Sequence, residues 1–353
     1  MKLDQIFSKP FESLLYCEHN VNFPKYLTPK SNLITNEEDI NQEASVYLID
    51  DEIESICIGG FLEPKYFVLN PHERVMLTAK QSLNYKKVRA LKSGSARTFF
   101  VPELDSYVKT HYSGLISSNF RKLGRDVIDH VNLTKKLISL EPELPNHVAI
   151  LPEYAGVIWD EIGCIYRSLN PFPAFEGVMI PVYSLFGLDK NNPNEVPLFV
   201  QIAREKSISP EDFLVYDFVK PLIESWKWFT INQRIKITPH GENVLFGMDS
   251  DLSTFKIIHR DLQIINYSAI NNLSFEERLQ MTKTYDFHIG FLLLNQILEN
   301  HSEYINPKRI SERIRDIFNQ LIGNDLLYSN RVYEKGVGQD KKLIILDKKP
   351  KYR

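Results

Sequence analysis

Two stretches of this chain carry polar residues where the surrounding hydrophobic pattern calls for apolar ones, and both hold groups suited to phosphate. The first is KSGSARTFFVPELDSYVKTHYSGLISSNFRKL. Ser95, Arg97 and Thr98 fall in a short turn entering a strand, and Lys109 lies inside the next strand-like run. Ser117, Ser118 and Arg121 fall in a turn before a long helix. Hydroxyls and three cations converging from consecutive turns suit a polyphosphate: Arg offers a planar fork, Lys a point charge, and Ser or Thr neutral donors. The same residues also fit a solvated rim of surface cations. The second stretch is TPHGENVLFGMDSDLSTFKIIHRDLQ, with His240, Glu242 and Asn243 before one strand and Arg260 and Asp261 at the end of the next. A hairpin would bring these ends together. An Asp and an Asn at neighbouring strand ends make a magnesium site that substrate phosphates complete. A polar turn with a buried His and an Arg–Asp ion pair is the alternative.

The elements that must position these residues follow from pattern and composition. The chain has 353 residues, 43% hydrophobic and 25% charged, as expected of an ordinary globular protein of two or three packed units. Lys+Arg 42 against Asp+Glu 45 leaves a net charge of -3, with no basic excess to hold nucleic acid. Cys17, Cys57 and Cys164 are scattered, which excludes a disulfide framework or a CxxC metal site and makes each a small core hydrophobe. Asp4 and Lys9 interrupt the N-terminus where a secretory signal needs an apolar run, and Phe287 to Leu298 is too short to span a bilayer. The expected location is cytoplasmic, with no membrane partner.

The segment from Pro29 to Ser45 lacks either hydrophobic period and reads as a surface excursion. From Val46 the runs VYLI, SICIGGF, KYFVLN, RTFFV and SYVKTHY read as strands. Leu123 to Leu140 has helical spacing, and VAIL and GCIYR follow as strands. After a loop at Asp189 to Glu195 the pattern turns mainly helical. Ser274-x-x-Glu277 marks one helix start and Asn306-Pro307 another, whose Ile310, Ile314, Ile317, Phe318 and Leu321 keep one face apolar. The fold class expected is mixed α/β (α+β), with NVLFG and FKIIH as strands inside the helical part. No GxSxG, HExxH, GxxxxGK[ST] or GxGxxG motif is present, which removes the main support for hydrolase, zincin, P-loop and Rossmann readings.

Taken in order, Ser95-x-Arg97-Thr98, Lys109, Ser117-x-x-x-Arg121, His240-Gly-x-Asn243 and Arg260-Asp261 resemble the NRPS-independent siderophore synthetases of the aerobactin-synthetase (IucA/IucC) type. NPHERV at Asn70 to Val75, VAILPEYAG, CIYRS with Arg167, and RDLQ add to the likeness, which covers about Tyr66 to Gln263. The resemblance implies an ATP-dependent ligase that adenylates a carboxylate of citrate or a related acid. An amine, hydroxylamine or alcohol then captures the acyl-adenylate. By the same resemblance Ser95, Arg97, Thr98, Ser117 and Arg121 would hold the triphosphate, with Lys109 near the α-phosphate and the reacting carboxylate. His240 and Asn243 would contact nucleotide phosphates, and Asp261, with Asn243, would hold magnesium; Lys109, Arg121 and His240 would act in catalysis. It also implies a homodimer and three parts: a shortened thumb-like segment 1–64, a strand-rich fingers-like domain 65–189, and a helical palm-like domain 190–353, with ATP in the cleft between the last two. Glu242 stands where the family has Gln, and Thr238 where it has Glu. With the N-terminal part reduced as well, the acid is expected to be smaller or different, or to belong to a peptide or carrier.

Two other readings compete. His259-Arg260-Asp261-Leu262-x-x-x-Asn266 matches the protein-kinase catalytic loop, and Asp286-Phe287-x-x-Gly290 loosely resembles DFG, although no Gly-rich loop or VAIK-type lysine precedes them. A nucleotide-binding partner subunit without activity of its own is the third.

Overall fold

The structure, a computed structural model, describes residues 1–22, 41–48, 53–70, 85–95, 97–116, 119–264 and 274–323, and the short strands Glu334–Lys335 and Lys342–Leu343. The chain divides into two compact units, and neither is a single stretch of sequence. A sheet unit comprises Leu33–Glu143 and Ile150–Phe175; a helical unit comprises Met1–Asn32, Leu144–Ala149 and Glu176–Arg353. The N-terminal helices thus fall in the same unit as the C-terminal half.

The sheet unit is built on eight antiparallel strands in the order Glu54–Cys57, Glu153–Trp159, Ile162–Arg167, Ser106–Thr110, Thr98–Val101, Tyr85–Lys92, Asn41–Leu48 and Tyr66–Leu69. Alternation along these strands sends Val46, Phe67, Phe99, Val101, Val108, Cys164 and Tyr166 into one continuous core. Thr98 and Lys109 face each other across their pair of strands, and Lys109 faces Ile165 on its other side. Helix Asp126–Ser139 lies on the sheet through Val127, beside Leu123, Ile158 and Ile165. A Cβ at Gly163 would sit 2.8 Å from Val127 Cγ1, so the helix approaches this closely only because residue 163 has no side chain.

The helical unit holds a four-stranded sheet in the order Val148–Ile150, Phe255–His259, Val244–Met248 and Val178–Pro181. The expected hairpin is present: Val244 pairs with His259 and Met248 with Phe255. Long helical runs surround it, at 210–232 and 275–300, and each alternates α-helical and wider π-helical turns. Aromatic contacts fill the space between, with Phe213 and Phe218 against Phe246 at ring distances of 5.8 and 6.2 Å. Both expected caps form. Ser274 Oγ accepts from the Glu277 amide while Glu277 accepts from the Ser274 amide, and Asn306 Oδ1 accepts from the Arg309 amide. No helix among the described residues is long and apolar enough to cross a membrane.

Some boundaries moved. The helix read as Leu123 to Leu140 spans Asp126–Ser139. The excursion read as Pro29 to Ser45 is strand from Asn41 onward, and its remainder lies outside the described residues. Helices Leu3–Ser8 and Pro10–Asn20 and strand Tyr85–Lys92 were not expected. In the last of these, Val88 and Ala90 are buried while Lys86, Lys87 and Arg89 are exposed, and these cations mask the two-residue period.

Gly241 is held by contact rather than by conformation. A Cβ there would lie 2.8 Å from Tyr183 Cβ and 2.9 Å from its backbone nitrogen, which donates to the Gly241 carbonyl at 3.2 Å. Gly241→Ala should therefore lower stability by roughly 1–3 kcal/mol, the range for forced overpacking. A urea midpoint equal to that of the wild type would show that the contact yields.

Candidate functional site

In the sheet unit the hairpin of Thr98–Val101 and Ser106–Thr110 gathers the first set of candidates. Thr98 and Lys109 are cross-strand partners, and both are buried. The Arg97 carbonyl accepts from the Thr110 amide at 2.8 Å and from its hydroxyl at 3.0 Å, and Asn70 donates to that hydroxyl at 3.0 Å. Arg97 is half-buried and Ser95 exposed, in a turn where Ser95 and Arg97 amides point to the hydroxyls of Ser93 and Ser95. Arg121 lies in strand Asn119–Arg121, across from Tyr112. Ser117 and Ser118 lie outside the described residues.

Three residues absent from the expected set stand behind Lys109. Glu153, 5% exposed, accepts from Arg167 at 2.5 Å through Oε1, the same oxygen that lies 3.8 Å from Lys109 Nζ. Its Oε2 takes His130 Nδ1 at 2.8 Å. Because the carboxylate only accepts, His130 must donate from Nδ1. Burial pushes the Glu153 carboxyl up, but Lys109, Arg167 and His130 together outweigh it and hold the group below the ordinary carboxylate range. A readable signal existed: a Glu and an Arg at the ends of strands that are otherwise wholly apolar, LPEYAGVIW and IGCIYR.

In the helical unit the second set is fixed by the 244–259 hairpin. The Arg260 amide donates to the Asn243 carbonyl at 3.0 Å, so the two strand ends meet as expected. Asn243 Nδ2 donates to Thr238 Oγ1 at 2.7 Å, which leaves the amide oxygen as the group for a cation or water. Asp261 has a left-handed backbone, φ 61°, which Asp is one of the few residues besides Gly to adopt, and the turn leads into strand Gln263–Ile264 beside Ile235–Lys236. Arg260 reaches buried Glu18 of helix Pro10–Asn20 at 2.8 Å and donates to the Glu242 carbonyl at 2.8 Å. The Glu242 side chain is exposed. His240 is half-buried, and its ring lies 6.0 Å from that of His288. No three His, Cys, Asp or Glu side chains group as a metal set among the described residues. Asp261 and Asn243 offer two oxygen donors at these strand ends, so a magnesium ion held there would need its remaining ligands from substrate phosphates.

The kinase reading loses its support here. Asp286 and Phe287 begin the helical stretch Asp286–Leu294 instead of a loop, and Asp286 is buried. His259 is buried too, held at Nε2 3.0 Å from Ser225 Oγ and pushed down to about 3 by burial and by His147. Cys17 and Cys164 are core residues as expected, whereas Cys57 is only partly buried.

No protein-family model matches the sequence, and no curated protein matches it. Among solved structures, the petrobactin biosynthesis protein AsbB of Bacillus anthracis superposes with a TM-score of 0.64 at 11% identity, over 96% of this chain and 74% of that one. Aerobactin synthetase IucC from a hypervirulent pathotype of Klebsiella pneumoniae gives 0.62 at 11% identity, over 81% of this chain and 63% of its own. Aerobactin synthetase IucA from the same source gives 0.61 at 12%, over 89% and 71%, and its ATP-bound form gives 0.58. The chain thus spans 63% to 74% of the lengths of these three proteins.

Glu153→Gln removes the negative partner of two buried cations while keeping its shape. Stability at pH 7 should fall by roughly 3–5 kcal/mol, the cost of breaking a buried ion pair from one side. The wild-type carboxyl is depressed in the folded state, so its contribution is full above the unfolded value of about 4.3 and is lost as pH falls below it. Denaturation curves of the two proteins should converge in acid. A gap that persists unchanged at pH 3 would mean the charge is not what stabilises.

Proposed function

We propose that this chain, which has the fold of the aerobactin and petrobactin synthetases, is an ATP-dependent ligase that adenylates a carboxylic acid and condenses it with an amine, hydroxylamine or alcohol. The observation that carries the reading is the hairpin that sets Arg97–Thr98 against Lys109 over a buried Glu153 and Arg167. Cations and hydroxyls held this rigidly need no reorganisation when charge develops on a phosphoryl group, which is where preorganised electrostatics contribute most.

In this reading Arg97, Thr98 and Ser95, with Ser117 and Arg121, bind the polyphosphate. Lys109 sits at the α-phosphate and the reacting carboxylate. Its ammonium neutralises charge as the carboxylate oxygen attacks phosphorus and pyrophosphate departs. His240 and Asn243 bind phosphate in the helical unit, and Thr238 orients Asn243 through their hydrogen bond. A magnesium ion on Asp261 and Asn243 would offset polyphosphate charge. The acid and the nucleophile are small molecules, their identities set by residues other than these.

Two measurements test the reading. Arg97→Ala should weaken ATP binding by roughly ten- to a hundredfold, the worth of a charge-assisted contact. Calorimetry showing wild-type affinity in that variant would remove Arg97 from the phosphate site. Product analysis with a panel of di- and tricarboxylic acids should show AMP and pyrophosphate; ADP would make the protein a phosphotransferase. Asp261→Asn should abolish turnover.

A further inference from the structure

His288 belongs to the DFHIG segment, whose resemblance to a kinase motif the fold rejects, and the ligase reading has no use for it so far. It sits in the π-helical stretch Asp286–Leu294, a geometry that in helices often marks functional positions. Its ring lies 6.0 Å from that of His240, tilted by 32°. Three elements converge here: the stretch carrying His288, the Thr238–Asn243 turn, and strand Ile235–Lys236, whose Lys236 charge is felt at His288. The last of these is paired to Gln263, two residues beyond Asp261.

The state of the imidazole can be worked out from its surroundings. Nδ1 is sealed from solvent and has no hydrogen-bond partner among the described residues, while the side chain as a whole is only half-buried. A neutral imidazole carries one N–H and one lone pair. Buried N–H groups are rarely left orphaned, so the proton belongs on Nε2, the nitrogen not sealed away. His288 therefore presents a donor. A donor recruits an anion's oxygen and offers nothing to a metal ion. Burial, His240 and Lys236 also push its protonation down to about 4, so the free protein holds it neutral and an entering anion would be welcomed by all three groups.

We propose that His288 is a further anion-binding residue of the His240 site, donating Nε2–H to a phosphoryl oxygen of the nucleotide or of the pyrophosphate it releases. The assignment rests on the ligase reading for the identity of the anion. It adds a residue that the sequence motifs do not contain.

The test is titration calorimetry of the full chain with ATP and with inorganic pyrophosphate. His288→Phe keeps an aromatic ring and removes the donor; His288→Gln restores an N–H at a similar reach. The Phe variant should bind at least one of the two anions about tenfold more weakly or worse, and the Gln variant should recover most of that loss. Loss with both probes places the contact on the leaving group, and loss with ATP alone places it on the α-phosphate. In the wild type, the imidazole nitrogen resonance that disappears in His288→Gln should shift when ATP or pyrophosphate is added, which decides the matter if the Phe variant does not fold. Wild-type protein that binds neither anion overturns this assignment together with the ligase reading. Wild-type binding with an unchanged Phe variant, or an unmoved resonance, overturns this assignment alone.

Discussion

A carboxylate removed from water is stable only if its surroundings replace hydration, and Glu153 has its surroundings supplied by three separate elements. Lys109 comes from one strand, Arg167 from the next and His130 from the helix above. Removing a charge of this kind from water costs several kcal/mol, so the three partners and the carboxylate must be present together. That mutual requirement fixes the lysine. Arg167 holds the carboxylate closely, and Lys109 stands 3.8 Å from the same oxygen. The sheet register places Thr98 directly opposite Lys109 on the neighbouring strand.

The helical unit solves a similar problem with different materials. Arg260 is tied to buried Glu18, and this ties the Asn243–Asp261 turn to a helix from the first twenty residues. Gly241 allows the turn to approach Tyr183, and Thr238 Oγ1 accepts a hydrogen bond from the Asn243 side-chain amide. Both motifs thus depend on a charged pair drawn from a distant part of the chain. Neither motif would hold its shape as an isolated peptide.

What could be read from the sequence was whatever local rules encode. The hairpin of 244–259 announced itself by two apolar runs, and the caps at Ser274 and Asn306 by side chains that satisfy open helix ends. Lys109 was legible as a cation inside a strand. Glu153 and Arg167 were visible in apolar strands, yet nothing local says that both meet Lys109; only the strand order 153–159, 162–167, 106–110 does so. Glu18 was hidden for the same reason, lying 242 residues from its partner. Strand Tyr85–Lys92 was missed because its outward cations obscure the inward period. His288 lies within the Asp286–Gly290 motif likeness, which its helical placement contradicts.

The claim on which this account stands is that the carboxylic acid is activated by adenylation before any nucleophile arrives. Exchange of labelled pyrophosphate into ATP, with the acid supplied and the amine withheld, reads that step alone. Acid-dependent exchange in the wild type, absent without the acid, is the expected result. Steady ADP formation, or no exchange with any member of a broad panel of acids, would contradict it.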